Sequence, residues 1–181
     1  MLRGYQPGDG VQLAEAVNAS YEHLKTFMLW AKPDQSVAHY EERARTSCAR
    51  WLLAEDFVIG IWEPDGSRLL GSCGFHLREG GLALCNAEIG MWIRVDAAGR
   101  GLGTAVLQAL LRWGFTEWPW QRLSWRCSSA NVASQRTAER AGLQREGVLR
   151  SHEVNGDGVR RDTFCYAHLR DEWSRLQQAS A

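Results

Sequence analysis

Residues 87–115, AEIGMWIRVDAAGRGLGTAVLQALLRWGF, change from a strand pattern to a helix pattern across a glycine-containing loop. β-Branched and apolar residues dominate the first part, and they predict a long strand over 82–95. Apolar residues then recur at helical spacing, which predicts a helix ending near Thr116. Between the two lies RGLGT, Arg100 to Thr104. Free backbone N–H groups and the helix dipole favour a bound phosphate at this position.

Two well-known phosphate-binding loops do not fit this sequence. A dinucleotide fingerprint needs a third glycine where Val106 stands, and it also needs a parallel strand–helix–strand opening. A nucleotide P-loop needs Gly-Lys followed by Ser or Thr, whereas Gly103 is followed by Thr104 and Ala105. A plain tight turn into a helix is the other interpretation of the loop.

The rest of the chain predicts an α+β fold. The predicted strands cover 2–5, 57–63, 69–77, 82–95, 122–127, 143–154 and 159–169. Four helices are predicted: one after Gln6 that reaches Lys32, one over 37–54, one that follows the glycine loop and ends near Thr116, and one over 131–141. PDGS and NGDG mark two hairpin turns. We therefore expect a central mixed, mostly antiparallel sheet of about seven strands flanked by four helices, in a single domain over 1–181.

Length and composition exclude several classes of protein. The 181 residues, 45% hydrophobic and 23% charged, are typical of one folded domain and not of a disordered or fibrous chain. The 21 Lys and Arg residues balance 21 Asp and Glu residues, so no overall field draws the chain to nucleic acid or an anionic membrane. No run approaches the roughly 18 apolar residues of a membrane span, and MLRGYQPGDG lacks a signal-peptide core, so we expect the chain to begin near Met1.

The cysteines indicate a reducing compartment. They form an odd set without a C-x-x-C pair: Cys48, Cys73, Cys85, Cys127 and Cys165. This pattern argues against both a disulfide framework and a zinc site. We expect a cytoplasmic protein without a metal.

Four motifs connect the chain to a known family. The quoted stretch, followed after a strand by NVASQRTAERAGLQREGVLR at 131–150, resembles the acyl-CoA-binding core of the GNAT superfamily of N-acetyltransferases. E-I-G-x-W at 88–92, FMLW at 27–30, N-x-x-S at 131–134 and A-G-L-x-x-E-G at 141–147 resemble its RimJ/RimL branch. That branch acetylates the N-terminal amine of ribosomal proteins, although many relatives take other amines. The resemblance covers about residues 3–173.

The resemblance implies an acetyl-CoA co-substrate and assigns residues to it. The main-chain amides of the loop match the pyrophosphate site, the end of the preceding strand matches the part that pairs with the pantetheine amides, and two helix residues match those facing the pantetheine and sulfur. These three sets are Arg100, Gly101, Leu102, Gly103 and Thr104; Trp92, Ile93, Arg94 and Val95; and Asn131 and Ser134. Ala98 departs from the usual Gln or Arg at the first loop position, which removes a side chain but no amide.

Amide formation from a thioester needs a neutral amine, a polarised carbonyl and a proton for the departing thiolate. A main-chain amide near Trp92 and Ile93 is the candidate for holding the oxyanion. Ser134 is a hydroxyl that can donate to the leaving sulfur, and helix capping is its alternative role. Cys127 matches a cysteine near the thioester in the RimL pattern, or it is a buried packing residue.

The general base has several candidates. Glu153 is favoured because it matches the acidic position of RimL-like enzymes, although a glutamate on a strand is often simply solvated. Glu88 is its rival, either as a holder of water or as half of a structural ion pair. His76 and His152 are further candidates because histidine titrates near neutrality.

The acceptor is expected to be an α-amine or a small amine. An α-amine with a pKa of about 7.7–8.0 is partly neutral at pH 7, whereas lysine at about 10.4 is almost wholly charged. The turn FMLWAKPDQS would supply Trp30 as an apolar wall, or as a core residue, and Asp34 as an amine partner. Aromatic residues at 118–120 could form a homodimer patch or an internal plug. Another acyl group such as succinyl, a polyamine or aminoglycoside acceptor, and a non-catalytic acyl-CoA-binding module are the competing interpretations.

Overall fold

A computed structural model describes residues 1–179 of the chain. Its strands are β1 (Leu2–Gly4), β2 (Phe57–Trp62), β3 (Leu69–His76), β4 (Asn86–Ile93), β5 (Arg122–Ser128), β6 (Gln144–Val154) and β7 (Arg160–Leu169). They form one seven-stranded sheet in the order β1-β2-β3-β4-β5-β7-β6. β4 and β5 are parallel, whereas β1·β2, β2·β3 and β5·β7 are antiparallel. The predicted α+β fold with a mixed sheet is confirmed.

More helices are present in residues 1–179 than the four predicted. They are α1 (Gly10–Ala19), α2 (Tyr21–Leu24), α3 (Val37–Leu52), α4 (Gly81–Leu84), α5 (Leu102–Thr116), α6 (Val132–Arg140) and α7 (Arg170–Ala179), with a short 3-10 helix over Val95–Ala97. None of these helices is long and apolar enough to cross a membrane.

Three local features explain the difference. The first predicted helix is interrupted at Ser20, whose φ of −107° and ψ of 4° are not helical. The strand predicted over 82–95 begins only at Asn86, because left-handed Gly80, Gly81 and Cys85 enclose a helical turn. The unpredicted helix α7 is stabilised at its beginning by Glu172, whose carboxylate accepts the Leu169 N–H at 3.0 Å.

One compact unit comprises residues 1–75, 91–102 and 154–159. Its core contains Leu13 and Val17 of α1, Tyr40 and Ala44 of α3, and Trp62 and Trp92 from the strands. Gly10 allows α1 and α3 to approach closely, since a Cβ there would lie 2.5 Å from the Glu41 Cα. The Glu41 carboxylate accepts the N–H groups of Gly8 and Gly10, and so caps the beginning of α1.

The other unit comprises residues 76–90, 103–153 and 160–179. Trp120 is fully buried and Trp118 stacks on it with ring centroids 5.6 Å apart. The Arg170 guanidinium donates to the carbonyl oxygens of Phe115, Trp118 and Trp120. Of the two interpretations of 118–120, the internal plug describes Trp120, whereas Trp118 stays partly exposed and Pro119 is exposed.

Candidate active site

The end of β4 is fixed by contacts inside the first unit. Arg94 is buried, and its guanidinium forms ion pairs with Glu15 of α1 and with Asp96. Its backbone N–H donates to the Leu70 carbonyl at 2.8 Å. The Val95 N–H donates to Ser20 Oγ at 3.1 Å. Both N–H groups therefore have acceptors within the protein, and the assignment of Trp92, Ile93, Arg94 and Val95 to pantetheine stays a prediction.

The loop over 98–104 has the backbone shape expected of a phosphate site. Gly99 and Gly101 have φ values of +75° and +83°, in the region that favours glycine. A Cβ at either position would meet no heavy atom within 4 Å. Helix α5 begins directly afterwards at Leu102, where the first N–H groups have no intrahelical partner. An exposed turn of amides at a helix N-terminus fits the diphosphate of CoA, so the assignment of 100–104 stays a supported prediction.

In the second unit, strand β5 and helix α6 bring the predicted Ser134 and Cys127 together. Ser134 lies in the first turn of α6, where its backbone N–H donates to Asn131 Oδ1 at 3.1 Å. Asn131 is therefore the helix N-cap. The indole Nε1 of Trp125 donates to Ser134 Oγ at 3.0 Å. Burial raises the pKa of the Cys127 thiol to about 11, although a hydrogen bond with Ser134 opposes the rise.

A cluster of charged side chains surrounds Glu88 of β4 in the same unit. Glu88 is only 7% exposed and forms an ion pair with Arg78. Its Oε2 lies 3.5 Å from Arg126 Nε, and within the described residues it accepts no hydrogen bond. Burial raises the pKa of Glu88, the charges of Arg78 and His76 oppose the rise, and the charge of Glu153 adds to it. The two carboxylates that the sequence offered as rival bases therefore lie close enough to interact.

Glu153 occupies a more exposed position than Glu88. Its side chain is 57% exposed, and its Oε1 lies 3.5 Å from His152 Nδ1. His152 also hydrogen-bonds the buried Thr163 hydroxyl at 3.1 Å. The preceding residue, Ser151, has a φ of +51°, and its N–H donates to the Asp162 carboxylate at 2.7 Å. This irregular point in β6 determines the direction of the residues that follow it.

The turn expected to receive the acceptor lies in the first unit. The Trp30 ring packs against Trp92 at 6.0 Å between centroids, and the Arg43 guanidinium lies 4.6 Å from its centroid. Trp30 thus has packing partners, as its core interpretation predicted, and remains only partly buried. Asp34 is exposed and has a φ of +52°.

Sequence reasoning missed the residues that hold the candidates in place. Strand alternation was the available signal: along β5, Trp125 and Cys127 share one face and Arg126 the other. The contacts confirm this separation, since Trp125 and Cys127 meet Ser134 whereas Arg126 meets Glu88 and Glu79. Registered pairs between β4 and β5 run only from Asn86↔Arg122 to Glu88↔Ser124, while β5 continues to Ser128.

A mixed α+β sheet with a glycine turn at the beginning of a helix is the arrangement expected of an acyl-CoA-dependent transferase. A family model described as an acetyltransferase (GNAT) domain matches residues 1–144, and the chain belongs to this family. It is an N-acetyltransferase, and acetyl-CoA is its co-substrate.

Three known proteins illustrate the relationship. The chain is 28% identical over 172 residues, 95% of its length and 92% of the relative's, to "Putative ribosomal N-acetyltransferase YdaF" of Bacillus subtilis strain 168. A solved structure of RimL, a ribosomal L7/L12 alpha-N-protein acetyltransferase with CoA disulfide-bonded to a cysteine, has a TM-score of 0.85, 21% identity and 94% coverage of both chains. Spermidine N-acetyltransferase from Vibrio cholerae has a TM-score of 0.78, 17% identity, and coverage of 96% and 97%.

Proposed function

We propose that this enzyme transfers the acetyl group of acetyl-CoA to the N-terminal α-amine of a protein or peptide. The observation that carries the proposal is the exposed carboxylate of Glu153 on β6, whose charge also raises the pKa of the buried Glu88. Carboxylates attract an ammonium group, and the charge of Glu153 favours the protonated form of Glu88. A carboxylate base of modest strength suits an α-amine, because about a tenth of such amines are already neutral at pH 7.

Each carboxylate has a role that follows from its exposure. Glu88 is buried and paired with Arg78, so its carboxylate is held in one position at the site. Glu153 is exposed enough to be reached by an acceptor and to pass a proton to water. We therefore assign the base to Glu153 and the orientation of the ammonium group to Glu88.

Ser134 completes the chemistry at the leaving sulfur. The acceptor nitrogen forms a bond to the acetyl carbonyl carbon, and the carbon–sulfur bond breaks. The proton lost by the amine passes to Glu153 and from there to water, and the departing thiolate takes a proton from water, so the products are an amide and CoA thiol. During bond cleavage the Ser134 hydroxyl donates a hydrogen bond to the sulfur and stabilises its charge.

The names of the relatives support the choice of acceptor without deciding it. YdaF is named as a ribosomal enzyme and RimL as an alpha-N-protein acetyltransferase, whereas another structure of similar fold acts on spermidine. The cytoplasmic location and a homodimer stay predictions.

Thiol release from acetyl-CoA tests the proposal directly. The panel contains peptides beginning with Ala or Ser, the same peptides with a blocked N-terminus and an internal lysine, spermidine, free amino acids and aminoglycosides. We expect turnover with the free peptides only, and mass spectrometry should locate the acetyl group on the α-amine. Faster turnover of spermidine, or acetylation of lysine in the blocked peptides, would replace the proposed acceptor class.

A further inference from the structure

Trp125 is a buried aromatic residue with one polar contact in the candidate site. Its side chain is 5% exposed, and it lies on β5 between Ser124 and Arg126. Its indole N–H is directed at Ser134 Oγ, 3.0 Å away in the first turn of α6. A buried tryptophan N–H needs an acceptor, but a hydroxyl is an unusual choice where backbone carbonyls are plentiful.

The hydrogen-bonding groups of the two side chains determine which of them donates. The indole N–H only donates, whereas a serine hydroxyl has one hydrogen and two acceptor lone pairs. When Trp125 donates to Ser134, it occupies a lone pair and leaves the single hydroxyl hydrogen for another acceptor. Donation into an oxygen also polarises its O–H bond and strengthens the hydrogen bond that this O–H then makes.

The backbone of Ser134 is held independently of its hydroxyl. Its N–H donates to Asn131 Oδ1, so the beginning of α6 is fixed by the N-cap. The Cys127 thiol lies near the hydroxyl, since Ser134 opposes the rise in the pKa of Cys127. Cys127 and Trp125 reach Ser134 from the same face of β5, two residues apart.

We infer that Trp125 is a positioning residue that orients the Ser134 hydroxyl as a hydrogen-bond donor toward the leaving sulfur of CoA. The inference rests on the role proposed above for Ser134. Trp125 acts on the reaction through Ser134 alone and touches neither the acceptor nor the acetyl group.

The first test is a double-mutant cycle measured with the best acceptor of the amine panel. Trp125→Phe retains most of the ring and removes the N–H, and Ser134→Ala removes the hydroxyl. We expect Trp125→Phe to lower kcat about fivefold, the effect of one hydrogen bond, with KM for acetyl-CoA unchanged. In the Ser134→Ala background, Trp125→Phe should have no further effect on kcat.

Trp62→Phe is the matched control. Trp62 is also a strand residue, is 1% exposed, and its indole N–H has no hydrogen-bond partner in the described residues. The substitution therefore removes a buried tryptophan ring without breaking an indole hydrogen bond, and kcat should stay at the wild-type value.

The second test needs no acceptor. CoA is bound to the enzyme, and ionisation of its thiol is followed by the ultraviolet absorbance of the thiolate, with desulfo-CoA as the blank. A hydrogen bond from Ser134 should lower the pKa of the bound thiol below the ordinary value of about 8.5. Trp125→Phe should raise that pKa by about one unit, and Ser134→Ala should raise it at least as far.

The outcomes separate this inference from the proposed function. Equal losses from Trp125→Phe in both backgrounds would mean that the ring acts by packing, and would overturn the inference while leaving Ser134 as donor. An unchanged kcat and thiol pKa in Trp125→Phe would also overturn it. If Ser134→Ala itself had no effect on either readout, the proposed role of Ser134 would fail, and the role of Trp125 with it. A peptide that is not an acceptor would refute only the proposed substrate, because the thiol titration would be unaffected.

Discussion

Gly101→Val should raise the Michaelis constant for acetyl-CoA at least tenfold while the protein stays folded. Gly101 has a φ of +83°, and no heavy atom lies within 4 Å of a Cβ placed there. The protein therefore has room for the new side chain. The left-handed backbone costs a non-glycine residue about 1–2 kcal/mol, and a β-branched residue more. The loop should respond by turning its peptide groups to another conformation.

The change in the loop removes donors from the phosphate site. A hydrogen bond to a charged group contributes about 1.5–3 kcal/mol, and every 1.4 kcal/mol is about tenfold in affinity. Loss of one such N–H donor thus corresponds to an increase of roughly 10- to 150-fold in the dissociation constant. The valine side chain would also enter space that the diphosphate is expected to occupy, which adds to the loss.

Steady-state thiol release gives the Michaelis constant, and calorimetry compares the binding of CoA with that of pantetheine. Gly66→Val is the matched control, because Gly66 also lies in a turn, with a φ of +75°. The Michaelis constant of Gly66→Val for acetyl-CoA should equal that of the wild type. The phosphate role of the loop would be refuted by two results together. The Michaelis constant of Gly101→Val for acetyl-CoA would lie within twofold of wild type, and the variant would prefer CoA over pantetheine by the same factor as wild type does.

Four further predictions concern the base and the packing. Glu153→Gln should lower kcat at neutral pH, and the deficit should shrink as the pH rises to the amine pKa of about 7.7–8.0, whereas a pH-independent loss would indicate a positioning role. Because burial raises the pKa of Glu88, the folded state binds the proton of this carboxyl group more tightly than the unfolded chain does. The contribution of protonated Glu88 to the free energy of unfolding should therefore fall as the pH rises above about 4.3. In urea unfolding, Glu88→Gln should lack this part of the pH dependence. Gly10→Ala should lower the free energy of unfolding by about 1–3 kcal/mol because it forces α1 from the backbone of α3, and Gly4→Ala, with open space at its Cβ, should cost less than half as much. Arg170→Ala should cost about 2–4 kcal/mol in urea unfolding, since three carbonyl groups lose their donor, and a cost under 0.5 kcal/mol would contradict this role.

The sequence pattern predicted most of the fold because each element is specified by neighbouring residues. The hairpin around PDGS, the helix after the glycine loop and the helix opened by Asn131 all form where expected. The sequence pattern gave a wrong element where a few residues with unusual backbone conformation outweigh the strand or helix preference of the surrounding segment. Apolar residues 82–84 suit a strand and a helical turn equally, and the left-handed glycines before them select the turn.

Some parts of the candidate site lie in short sequence motifs, whereas others are contacts between residues that are far apart in the chain. The glycine loop and N-x-x-S are short motifs, so a single stretch of chain contains the residues that they need. The charge cluster at Glu88 joins residues from 76 to 153, and the ion pair of Arg94 with Glu15 spans 79 positions. Such contacts depend on strand register and on which faces of the elements meet, and no local pattern specifies these.

The sequence by itself determined the mixed α+β fold, because backbone conformation and turn formation follow from adjacent residues. Through its resemblance to the GNAT superfamily it also indicated an acetyltransferase, and it predicted a phosphate-binding loop. Only the tertiary structure decided that the two rival carboxylates interact, that Trp118 stacks on the buried Trp120, and that an indole donates to Ser134. Those pairings form between segments that are distant in the chain, and packing of the folded core brings them together.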